Sequence, residues 1–374
     1  MRILLICERL DGTDGWSRYS LNLKNALLQN GHEVITCTTN DGDGDYAVLP
    51  APLRMMTRPW LRKGVGAALQ KIMQEKKPDV LHYTVEPYAL SVPSLPKALR
   101  SRCVLTIHGN YGVRPLRWWA SRRCMRKTLT EIGRCITVSS FTFNKVFDAL
   151  KSYPALKEKF GGKACTIPNG IPLPPAPRPH VRRDRKEILF VGAVKGSKGV
   201  MEALRGCSAY HKRFGTDWHF RIAGALDAQS AYVQSLQAFI ADNGLQDHIS
   251  FVGRVDDATL EKLYAKADVF LMPSITLPDT FEGFGLVYIE ANAHGVPVIG
   301  PSTGGAAETI GNGVSGFIVD PSNAEMIANR MHRVLDNGEI HRDQCREWAE
   351  RNDIRETAKS TLGVYNDCVA YASN

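Results

Sequence analysis

The sequence predicts an α/β protein of two doubly wound, Rossmann-like domains that face a central cleft. Three observations carry that reading. Short apolar runs with strand character alternate with helix-length segments along the chain, as expected of parallel sheets covered by helices. A Pro-rich passage, "TIPNGIPLPPAPRPHVRR" (166–183), interrupts the alternation, and the pattern restarts after it. The length of 374 residues suits about two domains. In open parallel sheets ligands bind beyond the carboxyl ends of the strands, so the chemistry is expected in the cleft.

The elements follow in order. "RILLIC" (2–7) is a buried strand, ended by the glycine-bearing loop "ERLDGTDG". "SRYSLNLKNALLQNG" has helical periodicity through Leu21, Leu23, Ala26, Leu27 and Leu28, with Gly31 as its C-cap. "HEVITCTT", "DVLHYT" (79–84), "CVLTIHG" (103–109) and "RCITVSS" (134–140) are further strands. After the Pro-rich passage come the strand "EILFVGAV" (187–194), the helix "KGVMEALRGCSAYHKRF" and the strand "WHFRIAG" (218–224). A helix, "AYVQSLQAFIADNG", is followed by the strands "ISFVGRV" (249–255), "ADVFLMPS" (267–274), "PVIGP" (297–301) and "GFIVD" (316–320). The division expected is a first domain over 1–175, a linker over 176–186 and a second domain over 187–355. A C-terminal helix over 356–374 is able to pack back on the first domain.

Composition narrows the class. The hydrophobic fraction of 44% and charged fraction of 23% are those of a globular protein. Nine cysteines without a CxxC pair point to reduced thiols in a cytoplasmic setting, not to a disulfide framework or zinc site. The opening "MRILLICERL" lacks the features of a secretory leader, and no apolar run reaches ~18 residues. The net charge of +9 is unevenly spread: residues 1–186 carry 31 Lys and Arg against 14 Asp and Glu, and the remainder carries 16 against 24. A basic first half fits an anionic partner, although a solvated basic surface accounts for the count equally well. "DGDGD" (41–45) is not an EF-hand loop, because the sixth and twelfth positions hold Tyr46 and Pro52.

The richest stretch is "TFEGFGLVYIEANAHGVPVIGP" (280–301). Glu282 precedes a turn with Gly283 and Gly285, and a helix is expected from Phe284 to Gly295. A helix N-terminus with open N–H groups is an anion site. Glu290 lies ~9 Å along that helix and leans back toward its start. The spacing suits a nucleotide sugar, with ribose at Glu290, phosphates at the turn and the transferred sugar near Glu282. A capped helix start with one surface acid would explain the two acids alone.

The neighbourhood favours the ligand. The stretch resembles the E-x7-E element of the retaining family-4 glycosyltransferases of GT-B fold. "EILFVGAVKGSKGVMEAL" resembles that family's strand–loop–helix with a diphosphate-binding lysine, here Lys198. "ISFVGRVDDATLEKLYAKADVFLMPS" resembles the segment whose turn at Gly253, Arg254 and Val255 lines the base pocket. "DGWSRYSLNLKNALLQNGHEV" resembles the first glycine loop, with Gly15, and "TIHG" the active-site histidine, here His108. The resemblance implies sugar transfer from a nucleoside diphosphate, on UDP or GDP, with retention and without a metal or cofactor. Lys198 and the N–H groups around Gly283, Phe284, Gly285 and Leu286 would steady the leaving diphosphate. Glu282 would orient the donor sugar and His108 would contact it from the opposite wall. Two departures stand out: Ala193 replaces an arginine, with Lys195 nearby, and Gly12 and Gly15 are separated. An epimerase of this fold, or a membrane- or polyanion-binding protein with a vestigial donor site, are the competing readings.

The acceptor side is expected in the first domain. "RPLRWWASRRCMRKTL" (114–129) reads as one amphipathic helix. Trp118, Met125 and Leu129 share a face, with Trp119, Arg122, Arg123, Arg126 and Lys127 sweeping round from it. "RMMTRPWLRKG" (54–64) is a second basic–aromatic patch. Together they predict docking to an anionic membrane surface, at about 1 kcal/mol per basic residue. The acceptor would be a glycan or lipid-linked glycan of lipopolysaccharide, cell-surface polysaccharide or glycolipid synthesis. The enzyme would be cytoplasmic, peripheral on the inner face of the cytoplasmic membrane. No nucleic-acid motif accompanies the charge.

Overall fold

The computed structural model describes residues 1–175, 185–278 and 280–373. The chain divides into two units, Met1–Pro172 with Asp353–Asn374, and Leu173–Asn352. These divisions fall three residues before those expected at 175 and 355, and residues 176–184 of the expected linker lie outside the described residues.

The first unit is built on β1 (Arg2–Ile6), β2 (Glu33–Thr39), β3 (Tyr46–Leu49), β4 (Val80–Tyr83), β5 (Cys103–Ile107), β6 (Arg134–Thr137) and β7 (Ala164–Thr166). Their order is β3-β2-β1-β4-β5-β6-β7, all parallel. Residues 3–6, 80–83 and 103–107 are fully buried, which is why these strands read as unbroken runs. The edge strands β3 and β7, short and largely uncovered, gave no such run. The loop "DGDGD" joins β2 to β3 and is tightly built. Asp45 accepts from the Thr36 N–H and hydroxyl at 2.8 and 2.7 Å, and Asp43 accepts from the Leu10 N–H at 3.1 Å.

The second unit carries β8 (Lys186–Val191), β9 (Trp218–Ala223), β10 (Ile249–Gly253), β11 (Val269–Leu271), β12 (Val298–Pro301) and β13 (Gly316–Val319). The order is β10-β9-β8-β11-β12-β13, again all parallel. In both sheets the strand order reverses beside the first strand, at β1/β4 and at β8/β11. Loops diverge there and open a crevice at the carboxyl ends.

The C-terminal helix, Ile354–Ser373, belongs to the first unit. Tyr365 and Cys368 join the core formed by Leu23, Ala26, Val80 and Val104. No helix among the described residues is long and apolar enough to cross a membrane.

The segment expected as one helix over 114–129 is two, Asn110–Arg117 and Arg122–Glu131. Trp118 leaves the helical region at ψ 127, and its carbonyl takes the N–H groups of Ser121 and Arg122 at 3.1 and 2.8 Å. The helical wheel therefore does not hold across the break. Met125 and Leu129 are fully buried, whereas Trp118 and Trp119 are 43% and 78% exposed.

Candidate functional site

In the second unit, the loops after β8 and β11 meet at the strand reversal. The β8 loop closes as a short 3-10 turn, Gly196–Lys198, followed by Gly199 at φ +75. A Cβ on Gly199 would lie 1.9 Å from the Pro273 carbonyl oxygen, so only glycine lets this loop lie on the end of β11. The Ile275 N–H donates to the Ser197 carbonyl at 3.0 Å and locks the two loops together. The result is a direct ion pair between Lys198 and Glu282, both partly buried. Two of the sequence-predicted residues, 84 positions apart, are thus in contact. Lys195 shares their electrostatic surroundings. Burial lowers its pKa, the Lys198 charge lowers it further, and Glu282 partly offsets both. Ala193 is exposed.

Glu282 is held by its main chain: its carbonyl accepts the Gly305 N–H at 2.8 Å. The helix that follows begins at Leu286, not at Phe284 as expected. Gly285 caps it at φ +86, with the Tyr288 ring packed where a Cβ would stand. The Tyr288 hydroxyl donates to the Met272 carbonyl at 2.5 Å, fixing the helix start to the end of β11. Gly283 and Phe284 are buried in the turn. Leu286 and Val287, in the first turn, lack intrahelical acceptors for their N–H groups. Glu290 is the fifth helical residue, ~6 Å from the helix start. Its Oε2 accepts from the Tyr264 hydroxyl at 3.1 Å. Tyr264 is itself 2% exposed and stacked on His294, centroids 5.0 Å apart. Arg254 is exposed and Val255 half-buried after the Gly253 turn at the end of β10.

In the first unit, His108 follows β5 and Gly15 opens the helix Gly15–Gln29. Asp14 caps that helix through the Trp16 and Ser17 N–H groups. A Cβ on Gly15 would meet nothing within 4 Å, so the fold itself does not call for glycine there. His108 Nε2 lies 3.1 Å from the Thr84 carbonyl, which can only accept; Nε2 therefore carries the proton and Nδ1 is the acceptor nitrogen. Burial drives the His108 pKa down to about 4, so the ring is neutral near pH 7. A buried chain lies beneath it. Tyr365 bonds His82 Nδ1 at 2.6 Å, His82 Nε2 meets the Thr106 hydroxyl at 2.7 Å, and Thr106 meets Tyr19 at 3.1 Å. The Tyr19 ring stands edge-on to His108 at 4.5 Å.

Sequence reasoning missed Glu86, Tyr264 and Tyr19. Glu86 could have been found: it is the one acid in the apolar run "VEPYALSV", and a buried acid is a signal in itself.

The basic–aromatic patches of the first unit come together through Arg62. This buried guanidinium donates to the carbonyls of Met55, Met56 and Ala120 at 2.7–2.9 Å. It ties the Trp118–Ser121 turn to the helix Pro59–Lys76 beside an open groove of about 530 Å³. Thr57, Pro59, Trp119, Arg122 and Arg123 line that groove. Trp60 is 67% exposed on the neighbouring turn. Arg122, Arg123 and Lys127 are exposed, while Arg126 is folded over the Tyr153 ring at 4.3 Å.

Comparison with known proteins bears on the whole chain. Residues 13–173 match the profile described as Glycosyltransferase Family 4, and residues 177–352 that of Glycosyl transferases group 1. Over 333 residues the chain is 25% identical to a GDP-mannose-dependent monoacylated alpha-(1-6)-phosphatidylinositol monomannoside mannosyltransferase of Corynebacterium glutamicum, covering 83% of this chain and 80% of the relative. It is 34% identical over 189 residues to an uncharacterized glycosyltransferase of Methanocaldococcus jannaschii. That match covers 50% of this chain and 46% of the relative, so it spans about half of that protein. In fold, the chain is similar to sucrose-phosphate synthase from Thermosynechococcus elongatus, with a TM-score of 0.75, 21% identity and 100% of each chain covered.

Proposed function

The chain belongs to glycosyltransferase family 4, with the GT-B fold, and on that premise we propose that it moves a sugar from a nucleoside-diphosphate sugar to a hydroxyl of a glycan or lipid-linked glycan, with retention. The observation that carries this is the Lys198–Glu282 ion pair at the strand reversal of the second unit. When the donor binds, its diphosphate draws Lys198 away from Glu282. The lysine and the first-turn N–H groups of the helix Leu286–Ala293 then stabilise charge building on the leaving phosphate. These groups supply the positive charge at the diphosphate, so the transfer is proposed to be metal-independent, and no cofactor is invoked. Glu282, released from the lysine, orients the sugar and favours its oxocarbenium-like centre. Glu290, steadied by Tyr264, takes the ribose hydroxyls, and Arg254 and Val255 border the base. Lys195 takes the place of the missing arginine at position 193. Gly15 leaves room for a close approach of donor to backbone.

On the acceptor side, Trp60, Trp118 and Trp119 with the exposed Arg122, Arg123 and Lys127 form a surface for anionic lipid. That surface supports a position on the cytoplasmic face of a membrane, with a role in glycolipid, lipopolysaccharide or polysaccharide synthesis. Similarity to the phosphatidylinositol-mannoside enzyme supports a lipid-linked acceptor. Incubation with radiolabelled UDP- and GDP-sugars and a lipid extract should give labelled lipid with the native chain and none with Glu282→Ala. Equal labelling by the variant overturns the role of Glu282. A chain that binds no nucleoside diphosphate by calorimetry has a vestigial site.

A further inference from the structure

Glu86 begins the 3-10 segment Glu86–Ser94, two residues past the Thr84 that accepts from His108. It is fully buried, yet forms none of the ion pairs found among the described residues. Its Oε1 accepts two backbone N–H groups, those of His108 at 2.9 Å and Gly109 at 3.2 Å. Its Oε2, equally buried, has no partner at ordinary hydrogen-bond geometry among the described residues, and the Trp16 indole is the donor that faces the carboxyl. The carboxyl stands at the carboxyl ends of β4 and β5, against the strand reversal of the first unit.

A carboxylate buried without a cation is costly and is rarely retained for stability alone. We infer that Glu86 is the positioning residue of the His108 turn, a buried carboxylate whose two N–H contacts set where the imidazole stands. Gly109 lies at φ 167, an extended conformation, so the turn has no helical bond of its own at this point. Glu86 supplies the acceptor that the main chain lacks. Ionised, the carboxylate is a stronger acceptor for both N–H groups than when neutral. Burial raises its pKa to about 7, against the pull of the Glu86, His108 and Gly109 backbone N–H groups and the Trp16 indole. The titratable side chain on the same turn, His108, is already neutral in that range, with its pKa near 4. The turn therefore tightens as pH rises through neutrality and Glu86 ionises.

The catalytic consequence rests on His108 contacting the transferred sugar, as proposed above; the clamp itself does not. The test has two arms on the full chain, native and Glu86→Gln. In the first, the amide resonances of His108 and Gly109 are followed from pH 5.5 to 8.5. They should titrate together near pH 7 in the native chain and stay flat in the glutamine variant, which keeps an acceptor oxygen but no proton to lose. In the second, transfer from GDP-mannose or UDP-glucose is measured over the same range. The native rate should rise through pH 7, and the variant should lose that limb. Amides that do not titrate in the native chain, or titrate equally in both, overturn the clamp. Titrating amides with superimposable rate profiles overturn the positioning role and leave the glycosyltransferase reading intact. If neither chain transfers sugar, the amide arm alone decides the clamp and the failure belongs to the functional reading.

Discussion

The two strand reversals have the same topology and opposite electrostatics. At β8/β11 the loops present an ion pair, Lys198 with Glu282, and a second amine, Lys195, in a partly exposed setting. At β1/β4 they present a neutral histidine and a buried carboxyl whose pKa is raised to about 7. On the proposed reading the charged crevice takes a diphosphate, where charge must be neutralised. The crevice of the first unit, with its neutral histidine over a buried acid, on the same reading takes hydroxyl groups, where hydrogen-bond direction selects. If that reading holds, one architecture yields two kinds of recognition, and the loop residues at each strand reversal decide which.

The comparison breaks most visibly at the lysine. Lys198→Ala removes the charge that the proposed transfer uses as phosphate departs, and should lower kcat/KM by about 10²–10³-fold. His108→Ala removes one neutral hydrogen bond, worth ~1 kcal/mol, and should cost about fivefold. Lys195→Ala should fall between the two, since its amine lies in the same field without an ion pair of its own among the described residues. Steady-state kinetics over the three variants test the ranking. Equal losses for Lys198 and His108 would show that the charged and neutral crevices contribute alike.

A smaller effect sharpens the charged side. Tyr264→Phe removes the hydroxyl that fixes Glu290 Oε2, while the ring keeps its stack on His294. A neutral-to-charged hydrogen bond of this kind is worth ~1.5 kcal/mol, or about tenfold in affinity. The variant should bind nucleoside diphosphate more weakly by that factor and bind the 2′-deoxy analogue almost unchanged. Equal weakening of both would mean that Tyr264 supports the helix and not the contact with ribose.

How far the sequence could be read differs between the two regions for a physical reason. In the second unit the signals are local. Glycines at positive φ, a helix start and an acid eight residues from another lie within one stretch, and Lys198 follows a strand with its own glycine. What escaped was the exact helix start, because Gly285 rather than Phe284 takes the capping geometry. In the first unit the determinants are distant partners: Tyr365 against His82, Glu86 against His108, Arg62 against Ala120. No periodicity encodes such contacts. The tryptophan segment failed for the related reason that a helical wheel assumes continuity. Trp118 breaks the helix, and the basic–aromatic surface is assembled through Arg62 from two segments instead.

The last prediction sets stability against function at Glu86. A carboxyl whose folded pKa is raised, here to about 7 from an ordinary 4.5, binds its proton more tightly when folded. Its contribution to stability is therefore complete below pH 4.5 and is lost as pH rises through 7. Over that range the unfolded carboxyl ionises while the folded one keeps its proton, a loss of about 1.4 kcal/mol per pH unit, on the order of 3 kcal/mol in all. Glutamine has no such loss. Glu86→Gln should melt with the native chain at pH 5 and above it at pH 8, by about 2–4 °C per kcal/mol recovered. The sign is opposite to that expected for transfer, where the ionised form holds the His108 turn best. A variant that melts higher and loses its pH response would show a buried charge kept for position at a cost in stability. A melting difference that is constant from pH 5 to 8 would mean that the carboxyl does not titrate in the fold.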